Sequence, residues 1–256
     1  MSGLKRCWWW LPMWGLVATT VYSAVDTLRD TSQVQDAVIY SWESCNPEVY
    51  GEDCRRYNGG GLINMGVGKS GGIAEIRALF ALPGWNDTVP DSAELLVYCH
   101  VESDTVDREL YLYPVTTQFY EGTESAFWLG NYPDPDSGVT WHHAWLDDGD
   151  HDSLNWTTAG GDYTTGVACT TLITGTGAYF SFGHFERILN YWDTSGNDFG
   201  FIIINANAVP SSTSKKVIKS SEAGSGYAPL VIMYQSEPAG PRGRRRLMLP
   251  SGGSLQ

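Results

Sequence analysis

The amino-acid sequence predicts an all-β protein, folded as a sandwich of antiparallel strands. Short stretches rich in β-branched and aromatic residues recur between clusters of Gly, Pro, Asp and Asn, which is the pattern of a sandwich. A helical period occurs in one stretch alone. The chain has 256 residues, and sandwiches of this size commonly form a single unit. We therefore expect one large β domain with its own hydrophobic core.

The first two dozen residues have the layout of a secretory signal peptide. A lysine and an arginine precede the apolar run CWWWLPMWGLVATTV, which leads into the small-residue stretch VYSA. We expect residues 1–24 to be removed by cleavage at the end of this stretch. The run is shorter than the roughly 20 apolar residues that span a bilayer, so an uncleaved anchor is the weaker alternative. The sequence thus indicates a protein that is secreted or held at the cell surface, without membrane insertion after cleavage.

Strands are predicted at intervals along the rest of the chain. In the stretch AELLVYCHV, the residues Leu95, Val97, Cys99 and Val101 share one face, which predicts that this face lies in the core. The alternate residues face a partly wet side. The predicted strands are AVIYSW, AEIRALFAL, AELLVYCHV, ELYLYPV, FGFIIINAN, KVIKSS and PLVIMYQ.

One short helix is predicted near residues 184–192. Phe185, Ile188, Leu189 and Trp192 fall at positions i, i+3, i+4 and i+7, so they share one buried stripe. A Gly-Asn pair then marks the turn into the next strand.

Two segments are expected outside the sandwich. Residues 24–36 form a polar lead-in. Residues 237–256, EPAGPRGRRRLMLPSGGSLQ, form a flexible tail rich in Arg, Gly and Pro, with too little apolar content to fold alone.

The charge balance excludes some classes of partner. The chain has 29 acidic residues against 16 basic ones, a net charge of −13. Because several basic residues lie in the leader and the tail, the body between them is more acidic than the whole chain. Such a body repels nucleic acid phosphates and anionic lipid, so no nucleic acid partner is expected.

The cysteines beyond the leader suit an exported chain. Cys45 and Cys54 close the short, turn-rich stretch CNPEVYGEDC, and we expect a disulfide between them. A zinc site would need closer pairs such as C-x-x-C. For Cys99 and Cys169 two alternatives stand, a second disulfide or free buried thiols.

Ten segments occur in an order that resembles a known family. They are DAVIYSW, NGGGLINMGVG, EIRALFALPG, DSAELLVYCH, LYPVTTQFYEG, VTW, TTAGGDY, YFSFGHFERILNYW, NDFGFIIINAN and APLVIMYQ. Together they cover residues 34–235 and resemble the DNRLRE domain, also classed as carbohydrate-binding module family ninety-six. The resemblance implies a jelly-roll-like antiparallel β-sandwich that is exported and non-catalytic. It also implies glycan binding, which is shown or inferred for some members of that family.

Two features depart from the family pattern. Gly183 and His184 stand where the family places an aspartate-led turn. The insert HHAWLDDGDHDSLNW, between VTW and TTAGGDY, is longer than expected.

The sequence predicts no catalytic constellation. The stretch GKSGG matches a nucleophile elbow loosely, but it lacks the strand-to-helix turn that such an elbow needs. Asp134 and Asp136 resemble a glycosidase pair, yet they lie in a proline-rich turn, where acidic residues are common. We therefore expect no enzymatic activity.

Carbohydrate binding needs exposed aromatic faces beside polar groups. Trp141 stands at a position that packs inward in the family that the chain resembles. The predicted sugar-binding residues are Trp145, Trp128 and Tyr132, and simple packing is the competing interpretation for each. The tryptophans in loop-rich sequence are Trp128, Trp141, Trp145 and Trp156, and those expected in the core are Trp42, Trp85 and Trp192.

The insert also predicts a calcium site. Asp147, Asp150 and Asp152 lie close together around a glycine, and such charges repel unless solvent or a cation separates them. Calcium accepts carboxylate and carbonyl oxygens in flexible geometry. The alternative is a solvated acidic loop, because the spacing departs from the D-x-[DN]-x-[DN]-G pattern. Zinc is disfavoured because two adjacent histidines on a strand point to opposite faces.

Two functions follow from these observations. The first is a secreted, non-catalytic carbohydrate-binding module that holds a polysaccharide or other glycan at the cell surface or in the extracellular matrix. The second is a self-associating structural subunit of an extracellular sheath, filament or capsid-like layer. In that case the basic tail would dock on the acidic body of a neighbour, since opposite charges orient partners.

Overall fold

The computed structural model describes residues 34–41, 59–70, 74–83, 85, 88–122, 138–146, 153–207, 214–224 and 226–236, and residues 22–28 by their backbone alone. Ala24–Gln235 form one compact unit. Within the described ranges the elements are β1 (Tyr22–Leu28), β2 (Gln35–Tyr40), β3 (Asn64–Ser70), β4 (Ala74–Ala81), β5 (Ser92–Cys99), β6 (Arg108–Pro114), β7 (His143–Leu146), β8 (Ser153–Asn155), β9 (Cys169–Ile173), β10 (Ala178–Phe182), α1 (Glu186–Ser195), β11 (Phe201–Ile204), β12 (Ser214–Lys219), a 3-10 turn (Ser221–Ala223) and β13 (Leu230–Ser236).

The strands confirm the predicted all-β sandwich with one short helix. The main sheet runs in the order β1-β13-β5-β12-β3-β4-β11-β6-β9, with β10 on the other edge of β5 and β2 on the other edge of β4. The strand pairs whose register is described are antiparallel. The strands β7 and β8 form a separate hairpin.

The main sheet bends where its long strands change partners. In β4, Ile76 pairs with Gly68 of β3, whereas Phe80 pairs with Phe201 of β11. The strand β5 likewise pairs first with β13 and then, at Cys99, with β12. Strands that change partners in this way form the corners of a sandwich, so β4 and β5 each pass between the two layers that enclose one core.

The main core lies between these layers and beneath α1. Ile188, Leu189 and Trp192 of the helix are buried in it, as the helical period predicts, and Phe185 precedes them. The helix ends at Gly196, which adopts φ 70° and donates its N–H to the Trp192 carbonyl at 2.8 Å. Among the described residues, no helix has the length and apolar character that crossing a membrane requires.

The alternation predicted for β5 holds as far as the strand extends. Leu95, Val97 and Cys99 are buried, but Val101 is 66% exposed. The prediction for Val101 was wrong because β5 ends at Cys99 and the chain turns there.

The two described cysteines are free thiols. The sulfur of Cys99 lies 3.1 Å from Ser103 Oγ, and that of Cys169 lies 3.2 Å from the His184 carbonyl oxygen. Burial raises the pKa of both thiols, that of Cys169 to about 12. Both therefore remain protonated, and of the two alternatives from sequence the buried thiol is the one observed.

A second, outer core lies on the opposite face of the β2-β4-β11 layer. The layer contributes side chains such as Leu79 and Ile202, and the connection from β6 to β9 contributes Val139, Trp141 and Trp156. We call residues 115–163 the covering segment. The acidic insert of this segment thus includes the hairpin β7–β8 and helps to bury a sheet face that would otherwise meet water.

Two sequence-based predictions are corrected by this arrangement. Trp156 is only 5% exposed, and its Nε1 donates to the Thr140 carbonyl at 2.9 Å, so it is a core residue and not a free loop aromatic. The lead-in at residues 24–36 is not merely polar chain, because it contains most of β1 and the start of β2. Trp141 is buried, as the family resemblance implies.

Several predictions concern residues outside the described ranges. They are the leader up to residue 21, the Cys45–Cys54 disulfide, Trp42, Trp128, Tyr132, Asp147, Asp150, Asp152 and the tail 237–256.

Candidate functional site

The predicted sugar-binding residue Trp145 lies on β7 and is half-buried. Its ring centroid is 5.8 Å from that of Tyr120, which is 50% exposed. The structure therefore brings one predicted aromatic residue beside an exposed tyrosine that the sequence analysis did not select.

The histidines of the insert are held by local hydrogen bonds. Thr140 Oγ1 accepts the backbone N–H of His142 at 3.3 Å and that of His143 at 3.1 Å. The same oxygen lies 3.1 Å from His143 Nδ1. Neither imidazole belongs to a set of three ligand groups among the described residues.

Three tyrosines form a row on the outward face of β6 and on the segment that bridges to Val115 just after it. The inward residues of β6, such as Leu112, enter the main core, so Tyr111 and Tyr113 face the other way. Their ring centroids are 6.0 Å apart, and that of Tyr163 lies 5.4 Å beyond Tyr113, with all rings within 23° of parallel from one to the next. An isolated bridge between Val115 and Tyr163 holds the third ring in place. We call Tyr111, Tyr113 and Tyr163 the tyrosine row.

Two hollows adjoin the tyrosine row, and Tyr163 and Thr165 line both. One hollow, of about 360 Å³, has charged and amide groups beside Tyr113: Lys69, Glu75, Arg77 and Asn205. The other, of about 520 Å³, is lined mainly by hydroxyl groups and one carboxylate: Thr116, Thr117, Thr157, Thr158 and Asp162. Tyr163 thus borders both hollows, Tyr113 borders the first, and Tyr111 borders neither.

The hydroxyls of Tyr111 and Tyr113 remain neutral at ordinary pH. Tyr111 Oη donates to Glu109 Oε2 at 2.8 Å, and this hydrogen bond raises the pKa of Tyr111. Burial, and next the neighbouring Tyr163, raises the pKa of Tyr113. Tyr111 and Tyr113 therefore present uncharged hydroxyl groups, which can take part in hydrogen bonds.

Arg77 lines the hollow beside the tyrosine row and is held there by ring contacts and hydrogen bonds. Its guanidinium carbon lies 4.8 Å from the Trp141 ring centroid and 5.7 Å from that of Tyr163. Nη1 donates to the Gly160 carbonyl at 2.7 Å, and Nε donates to Glu75 at 2.8 Å. One side chain thus joins β4 to the covering segment.

Asp162 fixes the loop beside the row. Its carboxylate accepts the N–H groups of Thr157 and Thr158, both at 2.8 Å, and the hydroxyl of Thr117 at 3.0 Å. Partial burial opposes the charge, but these hydrogen bonds outweigh it and lower the pKa of Asp162.

A second cluster of chemical interest consists of Asp36, Glu121 and Glu222, which we call the acid cluster. Each residue offers one carboxylate oxygen, and these oxygens all lie within 4.8 Å of one another. Burial, and next the charge of Glu222, raises the pKa of Asp36, and burial raises that of Glu121 to about 7. This cluster was not predicted from the sequence, although Asp36 shares the core-facing alternation of Val34 and Val38, a position where a charged residue is unusual.

The fold and these two sites define an all-β sandwich whose outer face carries a tyrosine row that adjoins two polar hollows. No model of a known protein family matches the chain, and no curated protein matches it.

Proposed function

We propose that this chain is an extracellular, non-catalytic carbohydrate-binding β-sandwich module that holds a polysaccharide along the tyrosine row. The observation that carries the proposal is the row of three nearly parallel, half-buried rings, of which Tyr113 and Tyr163 line polar hollows. Sugars offer apolar C–H faces that pack on aromatic rings and hydroxyls that need donors and acceptors at the ring edge. Both kinds of group are present here within one continuous surface.

The site is also rigid enough to recognise a ligand without large ordering costs. The two outward tyrosines of β6 stand on a strand that is paired on both edges, with β11 and with β9. Arg77 and Asp162 hold the adjoining loop through hydrogen bonds of 2.7 to 3.0 Å. Preorganised aromatic side chains lose little conformational freedom on binding, which favours affinity.

Trp145, with Trp128 and Tyr132, remains a predicted alternative location for the same function. The pair formed by Trp145 and Tyr120 offers aromatic surface. The tyrosine row is the stronger candidate because described carboxylate, amide and hydroxyl groups surround it.

The test is an array of neutral and acidic polysaccharides probed with the full chain, followed by titration of the best ligand. Tyr113→Ala should weaken binding about tenfold, because it removes the central ring of the row. Tyr227→Ala, which removes a half-exposed tyrosine elsewhere that packs on Tyr98, is the matched control and should bind as the wild type does.

Each alternative result has a definite meaning. Loss of binding in Trp145→Ala, with Tyr113→Ala unchanged, would move the site to the covering hairpin. Failure of the wild type to bind any glycan on the array would refute the proposed function.

A further inference from the structure

The acid cluster brings together side chains from three distant parts of the chain. Asp36 lies on β2, Glu121 lies after β6, and Glu222 lies in the 3-10 turn after β12. The backbone N–H of Ser221 donates to Asp36 Oδ2 at 2.7 Å, and that of Asp36 donates to Glu121 Oε1 at 3.1 Å. These bonds orient the carboxylates toward one another, although like charges at such distances repel strongly away from water.

Buried oxygen atoms in the cluster lack partners. Asp36 is fully buried, and its Oδ1 has no hydrogen-bond partner among the described residues. Glu222 Oε2 is also buried without a described hydrogen-bond partner. The same is true of Ser220 Oγ, in the residue that precedes the donor Ser221. Buried polar atoms are nearly always paired in folded proteins, so an unpaired oxygen on each of two members of the cluster, Asp36 and Glu222, indicates a missing partner.

A second buried carboxylate shows how this chain neutralises such a group elsewhere. Asp104 receives Arg108 Nη2 at 2.7 Å and Lys216 Nζ at 3.2 Å, with Lys216 itself fully buried. Among the described residues, no lysine, arginine or histidine forms an ion pair with the acid cluster. The cluster thus has three carboxyl groups and lacks, among the described residues, the cationic partners that Asp104 has.

We infer that the acid cluster is a calcium site, formed by Asp36, Glu121 and Glu222. The donors are all oxygens, which calcium prefers and which zinc, with its preference for nitrogen and sulfur, does not. Two glutamates and an aspartate supply up to six carboxylate oxygens, and calcium accepts six to eight in flexible geometry. Magnesium is less suited because it retains several waters and demands a near-octahedral arrangement.

The surrounding backbone leaves no room for a side chain beside the cluster. A Cβ at Gly60 would lie 2.1 Å from the Gly122 carbonyl oxygen and 2.8 Å from Glu121 Cγ. Gly60 therefore allows the chain before β3 to approach Glu121 closely and fix its position. Bound calcium joins β2, the segment after β6 and the turn after β12, so it stabilises the folded state over the unfolded one.

The experiment uses the full chain, freed of metal by a chelator and then dialysed. Atomic emission spectrometry after calcium loading and removal of free ion should find one bound calcium per chain. Excess calcium should raise the melting temperature by about 5 °C or more, because an ion held only by the folded state stabilises it. Equimolar magnesium should raise it much less.

Matched variants locate the ion. Asp36→Asn and Glu222→Gln each preserve side-chain shape while removing a charge, and each should abolish the calcium-dependent shift. Glu94→Gln, which alters a glutamate of β5 hydrogen-bonded to Ser181, should retain it. Using two cluster variants keeps the test decisive if one of them folds poorly.

Two results would overturn the inference. The first is a wild-type melting temperature that calcium leaves unchanged. The second is a shift that persists in both cluster variants but disappears in the Asp147→Ala, Asp150→Ala double variant, which would place the ion in the insert. Glycan binding plays no part in these readouts, so the failure of the calcium site and the failure of the proposed function are distinguishable.

Discussion

Gly160 occupies a position where no other residue fits without strain. Its φ is +91°, and a Cβ there would lie 2.7 Å from Trp141 Cζ2 and 2.9 Å from Arg77 Nη1. The stacked guanidinium and indole thus need a bare backbone beside them. The GGDY stretch is therefore a packing requirement of the outer core, as well as a turn.

Gly160→Ala should lower the free energy of unfolding by about 2 kcal/mol or more, because it combines a left-handed backbone with overpacking. Urea denaturation measures the change. Gly183→Ala is the control, since its Cβ would meet no atom within 4 Å. Equal stability of the two variants would contradict the packing argument.

Asp162 should contribute stability in a defined pH range. Its pKa is lowered from 3.8 in the folded state, so its stabilising contribution is present above that value and is lost as pH falls through the lowered pKa. Asp162→Asn should therefore have a lower melting temperature than the wild type near neutral pH. The difference between the two melting temperatures should become smaller in strong acid. Melting curves across that range check the sign, and a gap that widens on acidification would contradict it.

At the scale of elements, the sequence predicted the apolar strands and the helix better than the polar strands. FIII in β11 and AEIRALFA in β4 are rich in apolar residues, and α1 has a clear 3.6-residue period. The strand β9, CTTLI, alternates with threonines on its exposed side, and β3 contains two glycines, so propensity alone indicates them weakly.

The burial of Trp156 was not predicted, because the stretch around it is rich in acidic and loop-forming residues. The strand β11 is buried at all four positions, which is the mark of a strand covered on both faces. The apolar sequence of β11 therefore implied that another segment packs on the outer face of the sheet. The long connection after β6 provides that segment. The acid cluster was harder to foresee, because Asp36 and Glu222 are far apart in the chain and meet only through tertiary pairing.

Trp156→Ala should destabilise the protein by about 3 kcal/mol or more, because it removes a large buried ring and a hydrogen bond from the outer core. Urea denaturation is again the measurement. Leu154→Ala on β8, where the leucine is 45% exposed, is the control and should cost much less. If Trp156→Ala left stability unchanged, the covering segment would not be part of the folded core.

At the scale of the whole molecule, the charge distribution offers a test between the proposed carbohydrate-binding module and the alternative, a self-associating structural subunit. The net charge of −13 and the arginines of the tail are complementary in sign. For a carbohydrate-binding module we expect a monomer by size-exclusion chromatography, with or without residues 237–256. An oligomer that disappears on truncation of the tail, and also at high salt, would favour the structural subunit instead.

The position of β11 also determines which parts of the molecule should unfold locally and which only on global unfolding. Phe201 and Ile203 enter the main core while Ile202 and Ile204 enter the outer core, and β4 and β6 bond the strand on both edges. Amide hydrogens of β11 should therefore exchange with solvent only on global unfolding. The described part of the covering segment packs mainly on the outer face of this layer, so we expect its amides to exchange as a separate cooperative unit at lower free energy. Each such opening would expose a flat apolar sheet face while the main core stays intact, and hydrogen exchange followed by mass spectrometry would resolve the two units.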